Sequence, residues 1–314
     1  MKDPVILLFT KRGDIEEYEQ LLKEAGLSEQ LIVCSTNEEL EAGIGQAEII
    51  FGVHLPPEVY AKASRLRWIQ SMWAGVEGLI KSPIGLDVVI TRPLGVFGRF
   101  ISHYVFGYLL AWRIKLQQGL AQQAEKKWQH YKIGLLDGLK LGIAGMGNIG
   151  SEVARIGKTF HMEIWGLNRE PRTHELVDRS FGLNDISEFT AGVDVLVIVL
   201  PSTSQTRGLY GRELLAMMKP QALLINVGRG AIIDDDALVE VLKKGKIAGA
   251  VLDVFKQEPL SSDHPFWTAP NCIVTSHVGG PSLPQDITRC FLENYKRYIS
   301  GEPLPGKVDR KRGY

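Results

Sequence analysis

Cysteine is scarce in this chain. Its three residues, Cys34, Cys272 and Cys290, are an odd number with no CxxC spacing, which excludes a disulfide framework and a thiolate zinc site. A surplus of either charge is also missing. The 36 Lys and Arg are matched by 36 Asp and Glu, so no global field favours a nucleic acid or an anionic membrane surface. Long apolar runs are absent as well: residues 105–112 and 193–200 fall far short of the roughly 20 residues that cross a bilayer. The N-terminus, Met1-Lys2-Asp3-Pro4 followed by a short apolar run over 5–9, lacks the longer apolar core and small-residue cleavage site of a signal peptide. The expectation is a cytoplasmic protein with no membrane and no nucleic-acid partner.

What the chain has in excess is glycine, 33 of 314 residues against a usual share of roughly 7%. Something in it needs backbone freedom. The length suits two domains that each bury a core, and β-branched runs alternate with helical patterns from end to end, as in parallel sheets covered by helices. Strands are expected at 5–9, 31–34, 48–51, 68–70 and 88–91, with helices over 14–25 and 56–63 between them. Residues 97–126 then carry Phe100, Ile101, Tyr104, Val105, Tyr108 and Leu109 at helical spacing, one apolar face that joins two units. Six further strands follow, at 141–144, 163–167, 193–200, 222–226, 248–253 and 272–276, a number that fits a dinucleotide-binding sheet. A last helix over 283–300 is placed to run back to the first unit. The basic tail, 306–314, reads as a solvated end.

The expected architecture is therefore α/β, with two doubly wound parallel-sheet domains. A Rossmann dinucleotide-binding domain, 96–284, is inserted in a smaller flavodoxin-like substrate domain made of 1–95 and 285–314.

The pattern Gly145-Met146-Gly147-Asn148-Ile149-Gly150 lies between an expected strand and an expected helix. In that setting Gly145 permits the tight turn, Gly147 admits a pyrophosphate to the backbone and Gly150 lets helix and strand pack closely. An NAD site places Asp or Glu at the end of the next strand to hold the ribose hydroxyls. Here Asn168-Arg169 stands there. A guanidinium favours a 2′-phosphate, so NADP(H) is the expected cofactor, clamped by Arg169 with Arg172 as a second cation, and NAD(H) is the alternative.

Three polar residues stand just past strands of the second series: Arg229, Glu258 and His277. Strand ends of a parallel sheet converge on one crevice, and this trio offers an anion fork, a carboxylate and a proton-transfer imidazole. Asp234-Asp235-Asp236 opens a helix and reads as a cap complementing the dipole rather than as a metal site. His54 and Trp73 follow strands of the first unit. Each either lines the substrate's side chain or, respectively, sits on a surface loop or packs.

Taken together, Gly145-x-Gly147-x-x-Gly150, Leu200-Pro201-x-Thr203-x-x-Thr206, Asn226-x-x-Arg229-Gly230, Asp253-Val254-Phe255-x-x-Glu258-Pro259 and Ser276-His277-Val278 resemble the D-isomer-specific 2-hydroxyacid dehydrogenases over nearly the whole chain. Phe97-Gly98-Arg99-Phe100 and Asn168-Arg169 look most like the glyoxylate/hydroxypyruvate reductase branch. The resemblance implies NAD(P)H-dependent reduction of a small 2-keto acid, with His277 as acid/base, Glu258 as its partner and Arg229 as the substrate clamp. It implies cofactor contacts at Leu200, Pro201, Thr206, Val227, Gly228, Asp253 and Gly279, with Asp253 accepting from the nicotinamide carboxamide. It also implies backbone N–H groups of Ala74 and Gly75 on the substrate carboxylate, and a homodimer. Another D-2-hydroxyacid dehydrogenase, of the 3-phosphoglycerate type, is the rival within the family. A nucleotide-sensing binding module is the rival outside it. His103 departs from the family, whose linker helix commonly carries an acid near that point.

Overall fold

The computed structural model describes residues 3–11, 13–52 and 55–313. The chain divides into two compact units, Met1–Phe97 with Ser282–Tyr314, and Gly98–Pro281.

The first unit holds strands β1 (Ile6–Phe9), β2 (Leu31–Cys34), β3 (Ile49–Gly52), β4 (Trp68–Ser71) and β5 (Val89–Thr91). All pair in parallel in the order β2-β1-β3-β4-β5, the flavodoxin-like arrangement. The four residues of β1 are fully buried, which is why they read as an unbroken apolar run rather than an alternating one. Helices α1 (Ile15–Glu24), α2 (Asn37–Gly43) and α3 (Glu77–Lys81) belong to this unit. Thr36 caps α2 through a reciprocal pair with Glu39. Residues 56–63, expected as an α-helix, form instead the tighter 3₁₀ helix Pro57–Lys62.

The final helix, Pro284–Ile299, also belongs here. Its Phe291 stacks on Phe51 at 4.4 Å and on Trp68 at 5.4 Å. Its Asn294 donates to Gln70 Oε1 (2.8 Å) within a buried polar set in which Trp68 Nε1 and Gln70 both engage Thr91 Oγ1 at 2.7 Å. The basic tail is not a solvated end. Lys307 bridges Thr91, Val308 is buried with its N–H on Ile90, and Arg310 donates to the carbonyls of Ile84, Gly85 and Val88. A guanidinium that satisfies three carbonyls holds its segment in place, which composition alone does not reveal.

The second unit opens within α4 (Phe97–Arg113), from Gly98 on, and continues with α5 (Leu116–Ala124). The single apolar segment over 97–126 is broken at Lys115, which is left-handed (φ 53°) and ends one hydrogen-bond ladder before the next begins. Strands β6 (Lys140–Ala144), β7 (Glu163–Leu167), β8 (Arg179–Phe181), β9 (Val195–Ile198), β10 (Leu223–Asn226), β11 (Gly249–Leu252) and β12 (Cys272–Val274) form one parallel sheet in the order β12-β11-β10-β9-β6-β7-β8. It has seven strands, one more than expected. The addition is β8, a three-residue edge strand without a β-branched residue, so it carries little propensity to be read. The remaining helices are α6 (Asn148–Thr159), α7 (Ile186–Gly192), α8 (Arg212–Met217) and α9 (Asp235–Lys243), and Pro284–Ile299 becomes α10. From β8 to β11 the order is that of a dinucleotide-binding sheet, whose direction of winding reverses between β6 and β9. Among the described residues no helix is long and apolar enough to cross a membrane.

Candidate active site

The glycine loop follows β6 and enters α6. Gly145 is left-handed (φ 110°), and a Cβ on Gly150 would lie 2.1 Å from the Gly145 carbonyl, so neither position tolerates a side chain. The loop abuts the end of β9, since a Cβ on Gly145 would meet Val199 O at 3.0 Å. Gly147, the N-cap of the twelve-residue α6, provides no side-chain cap, and a Cβ there would meet nothing within 4 Å. First-turn N–H groups without an intrahelical acceptor, facing open space, suit a pyrophosphate.

Asn168 at the end of β7 accepts from Met146 N at 3.1 Å, tying the ribose position to the phosphate loop. Arg169 and Arg172 beyond it are exposed. No acidic side chain occupies the strand end, and two free-standing guanidinium groups beside it suit a 2′-phosphate better than a bare ribose. His174 anchors the same loop: its Nδ1 accepts from Leu176 N (3.2 Å) and its Nε2 lies 3.0 Å from Ser151 Oγ on α6. Sequence reasoning gave His174 no role, because only the fold brings it to α6.

On the other side of the reversal, Leu200 is buried and Thr206 Oγ1 donates to Pro201 O at 2.6 Å, closing the turn after β9. Val227 donates to Ile198 O. The buried Asn226 shapes the turn after β10, accepting from Gly228 N and donating to Arg229 O, both at 3.1 Å. Arg229 is half-buried with Nη1 on Gly228 O at 2.7 Å. A Cβ on Gly230 would lie 2.0 Å from the Phe255 carbonyl carbon. The turn carrying Arg229 therefore rests directly on the turn carrying Glu258.

Glu258 and His277 meet: Oε2 lies 2.8 Å from His277 Nδ1, while Oε1 accepts from Phe255 N at 2.9 Å. Their side chains are 36% and 50% exposed, so solvent reaches the pair. Asp253, only 2% exposed, lies behind it. Its carboxylate accepts from Thr275 Oγ1 (2.5 Å), Val278 N and Gly279 N (both 2.9 Å). It thus organises the turn after β12 besides any contact it makes to a cofactor. Thr275 and Tyr104, which completes this set, were missed by sequence reasoning. Thr275 carries a signal, standing two residues before His277 at a strand end, whereas Tyr104 reads only as part of an apolar helix face.

In the first unit, Trp73, Ala74 and Gly75 form the turn between β4 and α3, each half-buried, with Trp73 N donating to Ser71 Oγ at 3.0 Å. His54 lies outside the described residues. Asp234 caps α9 by accepting from Ala237 N at 3.0 Å.

Comparison with known proteins follows the same outline. Residues 106–279 match the family model for the NAD-binding domain of D-isomer specific 2-hydroxyacid dehydrogenases. The glyoxylate/hydroxypyruvate reductase A of Photorhabdus laumondii is 32% identical over 82% of this chain and 85% of its own. A crystal structure of a D-isomer specific 2-hydroxyacid dehydrogenase family protein from Aeromonas salmonicida is 38% identical with a TM-score of 0.90, covering 98% of this chain and 100% of that one. The NADPH-dependent glyoxylate/hydroxypyruvate reductase of Sinorhizobium meliloti, solved with NADP and sulfate, is 28% identical with a TM-score of 0.90 and full coverage of both chains (100% each).

Proposed function

Because this chain belongs to the D-isomer specific 2-hydroxyacid dehydrogenase family, we propose that it reduces a small 2-keto acid of the glyoxylate or hydroxypyruvate kind to the D-2-hydroxy acid, using NADP(H) in preference to NAD(H). The observation that carries this reading is the 2.8 Å contact between His277 and Glu258, on the strand ends of the sheet that bears the phosphate loop.

When bound, the reduced cofactor would supply the hydride for the 2-keto carbon. Everything else is done by this chain's residues. Charge that grows on the carbonyl oxygen is quenched by a proton from His277. Glu258 holds Nδ1 and leaves Nε2 as the atom that donates. Phe255 N in turn holds Glu258, so the carboxylate cannot follow the imidazole out of line. Arg229 offers a planar fork to the substrate's carboxylate and carbonyl oxygens and polarises the latter. The loops at Gly145 to Gly150, Asn168, Arg169, Leu200, Pro201, Thr206, Val227, Gly228, Asp253 and Gly279 hold the cofactor. Family likeness assigns Ala74 and Gly75 to the substrate carboxylate, and the positions of Trp73 and His54 after strands of the first unit make them the candidates for its side chain.

The chain is expected to act as a homodimer without a nucleic-acid or membrane partner. Support comes from the exposed apolar side chains between residues 110 and 135 of the second unit, Leu110, Ile114, Leu116, Leu120, Trp128, Ile133 and Leu135, with Trp128 at 95%, which a partner copy would cover. Light scattering that gives a monomer mass would refute the dimer. The function is tested by oxidation of NADPH and NADH with glyoxylate, hydroxypyruvate, pyruvate and longer 2-keto acids. The ratio of kcat/KM for NADPH to that for NADH should fall in Arg169→Ala. Equal ratios in the two proteins would remove Arg169 from the clamp, and inactivity with every acid would remove the reductase reading.

A further inference from the structure

Behind the proton donor stands a directed chain of hydroxyls that the reaction chemistry does not itself call for. We propose that Tyr104 and Thr275 are positioning residues for His277, acting through Asp253. The inference rests on the reading of His277 as the acid.

Three successive backbone N–H groups converge on one residue. His277 N donates to Asp253 O (2.9 Å), Val278 N to Asp253 Oδ1 (2.9 Å) and Gly279 N to Asp253 Oδ2 (2.9 Å). His277 is left-handed, φ 55°, a conformation that a residue with a Cβ keeps only where its surroundings impose it. The wrapping of residues 277–279 around Asp253, the first on its backbone carbonyl and the next two on its carboxylate, is that imposition. The direction in which the imidazole leaves the backbone is therefore set by where the Asp253 carboxylate sits.

That carboxylate is itself held. Thr275 Oγ1 donates to Oδ1 at 2.5 Å. A hydroxyl has one proton, so with it committed there Thr275 can only accept from the Tyr104 hydroxyl 2.6 Å away. The order Tyr104 to Thr275 to Asp253 is thus fixed, each bond polarising the next. Burial, countered in part by Thr275 and reinforced by the nearby Asp253, pushes the Tyr104 phenol well above its ordinary range, which keeps it a donor. Tyr104 belongs to α4, and its ring also flanks Gly279, where a Cβ would lie 3.3 Å away. The helix and the acid-bearing turn are thereby locked together through a single oxygen on each side.

Three variants test this: Thr275→Val, which replaces the hydroxyl with a methyl group, Tyr104→Phe, which removes only the phenol oxygen, and Thr275→Ser, which keeps the hydroxyl. From the strength of hydrogen bonds to charged groups, kcat should fall on the order of 10-fold in Thr275→Val and about threefold in Tyr104→Phe. KM for the keto acid should stay within about twofold, any rise in KM for NADPH, which Asp253 would also contact, should be smaller than the fall in kcat, and Thr275→Ser should recover most of the loss. The primary isotope effect with NADPH deuterated at the transferred position should rise in the two damaged variants, which a mere loss of folded enzyme would not produce. Amide hydrogen exchange over residues 277–279 should speed up in both, and this readout does not depend on turnover. A wild type that reduces no 2-keto acid defeats the reading of His277, while exchange still reports on the chain of hydroxyls. Wild-type kcat, isotope effect and exchange in Tyr104→Phe and Thr275→Val would overturn the proposal, as would a loss confined to KM.

Discussion

Removing Glu258 separates the orientation of the acid from its chemistry. The side chain makes two bonds, one to His277 Nδ1 at 2.8 Å and one from Phe255 N at 2.9 Å. A hydrogen bond to a charged group is worth about 1.5–3 kcal/mol. With the partners 36% and 50% exposed, solvent screening brings the first bond toward the lower end, about 1–1.5 kcal/mol. Glu258→Gln keeps the shape and an acceptor oxygen but loses the charge. At about 1.4 kcal/mol per decade, its kcat should fall roughly tenfold. Glu258→Ala frees the imidazole to rotate and leaves Phe255 N without its acceptor, so its loss should approach that of the acid itself, on the order of 100-fold. The assay is steady-state oxidation of NADPH with glyoxylate and hydroxypyruvate, with cofactor binding followed separately by fluorescence. KM for NADPH should barely change, because Glu258 acts through His277. A Glu258→Ala enzyme within about twofold of wild-type kcat, or one whose loss lies wholly in KM, would refute the argument.

Three other outcomes are expected. Gly230→Ala puts a Cβ 2.0 Å from the Phe255 carbonyl carbon and 2.3 Å from its Cα, and backbone cannot swing aside as a side chain can. Chemical denaturation should show a loss of about 2–3 kcal/mol, with activity falling as the Arg229 and Glu258 turns part; wild-type stability would contradict this. At Asp178 burial raises the carboxyl, but bonds from Lys158 and Ile164 N outweigh it and hold it below the ordinary range. A lowered carboxyl stabilises the fold above the unfolded value and loses that contribution as pH falls through the folded one. Asp178→Asn should therefore be less stable at pH 7, and its deficit should begin to shrink below about pH 4 and vanish only once pH lies under the lowered folded value; a deficit that persists in strong acid would point to packing instead. Burial pushes the Cys272 thiol up to about 12, and burial with help from Glu39 pushes Cys34 up to about 11. Since the thiolate is the reactive form, these two thiols in the native protein should react only slowly with a disulfide reagent at pH 8, and all three cysteines at once in denaturant. Rapid labelling of Cys34 or Cys272 in the native protein would contradict the burial.

The parts legible in the chain were those with a local cause. Strands such as β1 and β9 are apolar throughout because both faces are covered. Asp234 reads as a cap because its carboxylate needs only an N–H three residues on. Elements without such a cause were misread or missed. β8 is held by its partner β7 rather than by propensity, the break at Lys115 has no Gly or Pro to announce it, and the basic tail is tied down by carbonyls more than 200 residues away.

The same division runs through the site. By itself, the order of amino acids determined that a glycine loop enters a helix, that Asn168 and Arg169 take the place of an acid, and that an arginine, a glutamate and a histidine each follow a strand. Those are facts of local spacing, and the backbone obeys them wherever the segment lies. Only the tertiary structure decided that Glu258 reaches the Nδ1 of His277, that Gly230 sets the Arg229 turn on Phe255, and that Tyr104 on α4 ends up behind Thr275. Hydrogen bonds and close contacts act over about 3 Å, whereas these partners are separated by between 19 and 171 residues, and parallel strands bring them together only after the sheet has formed.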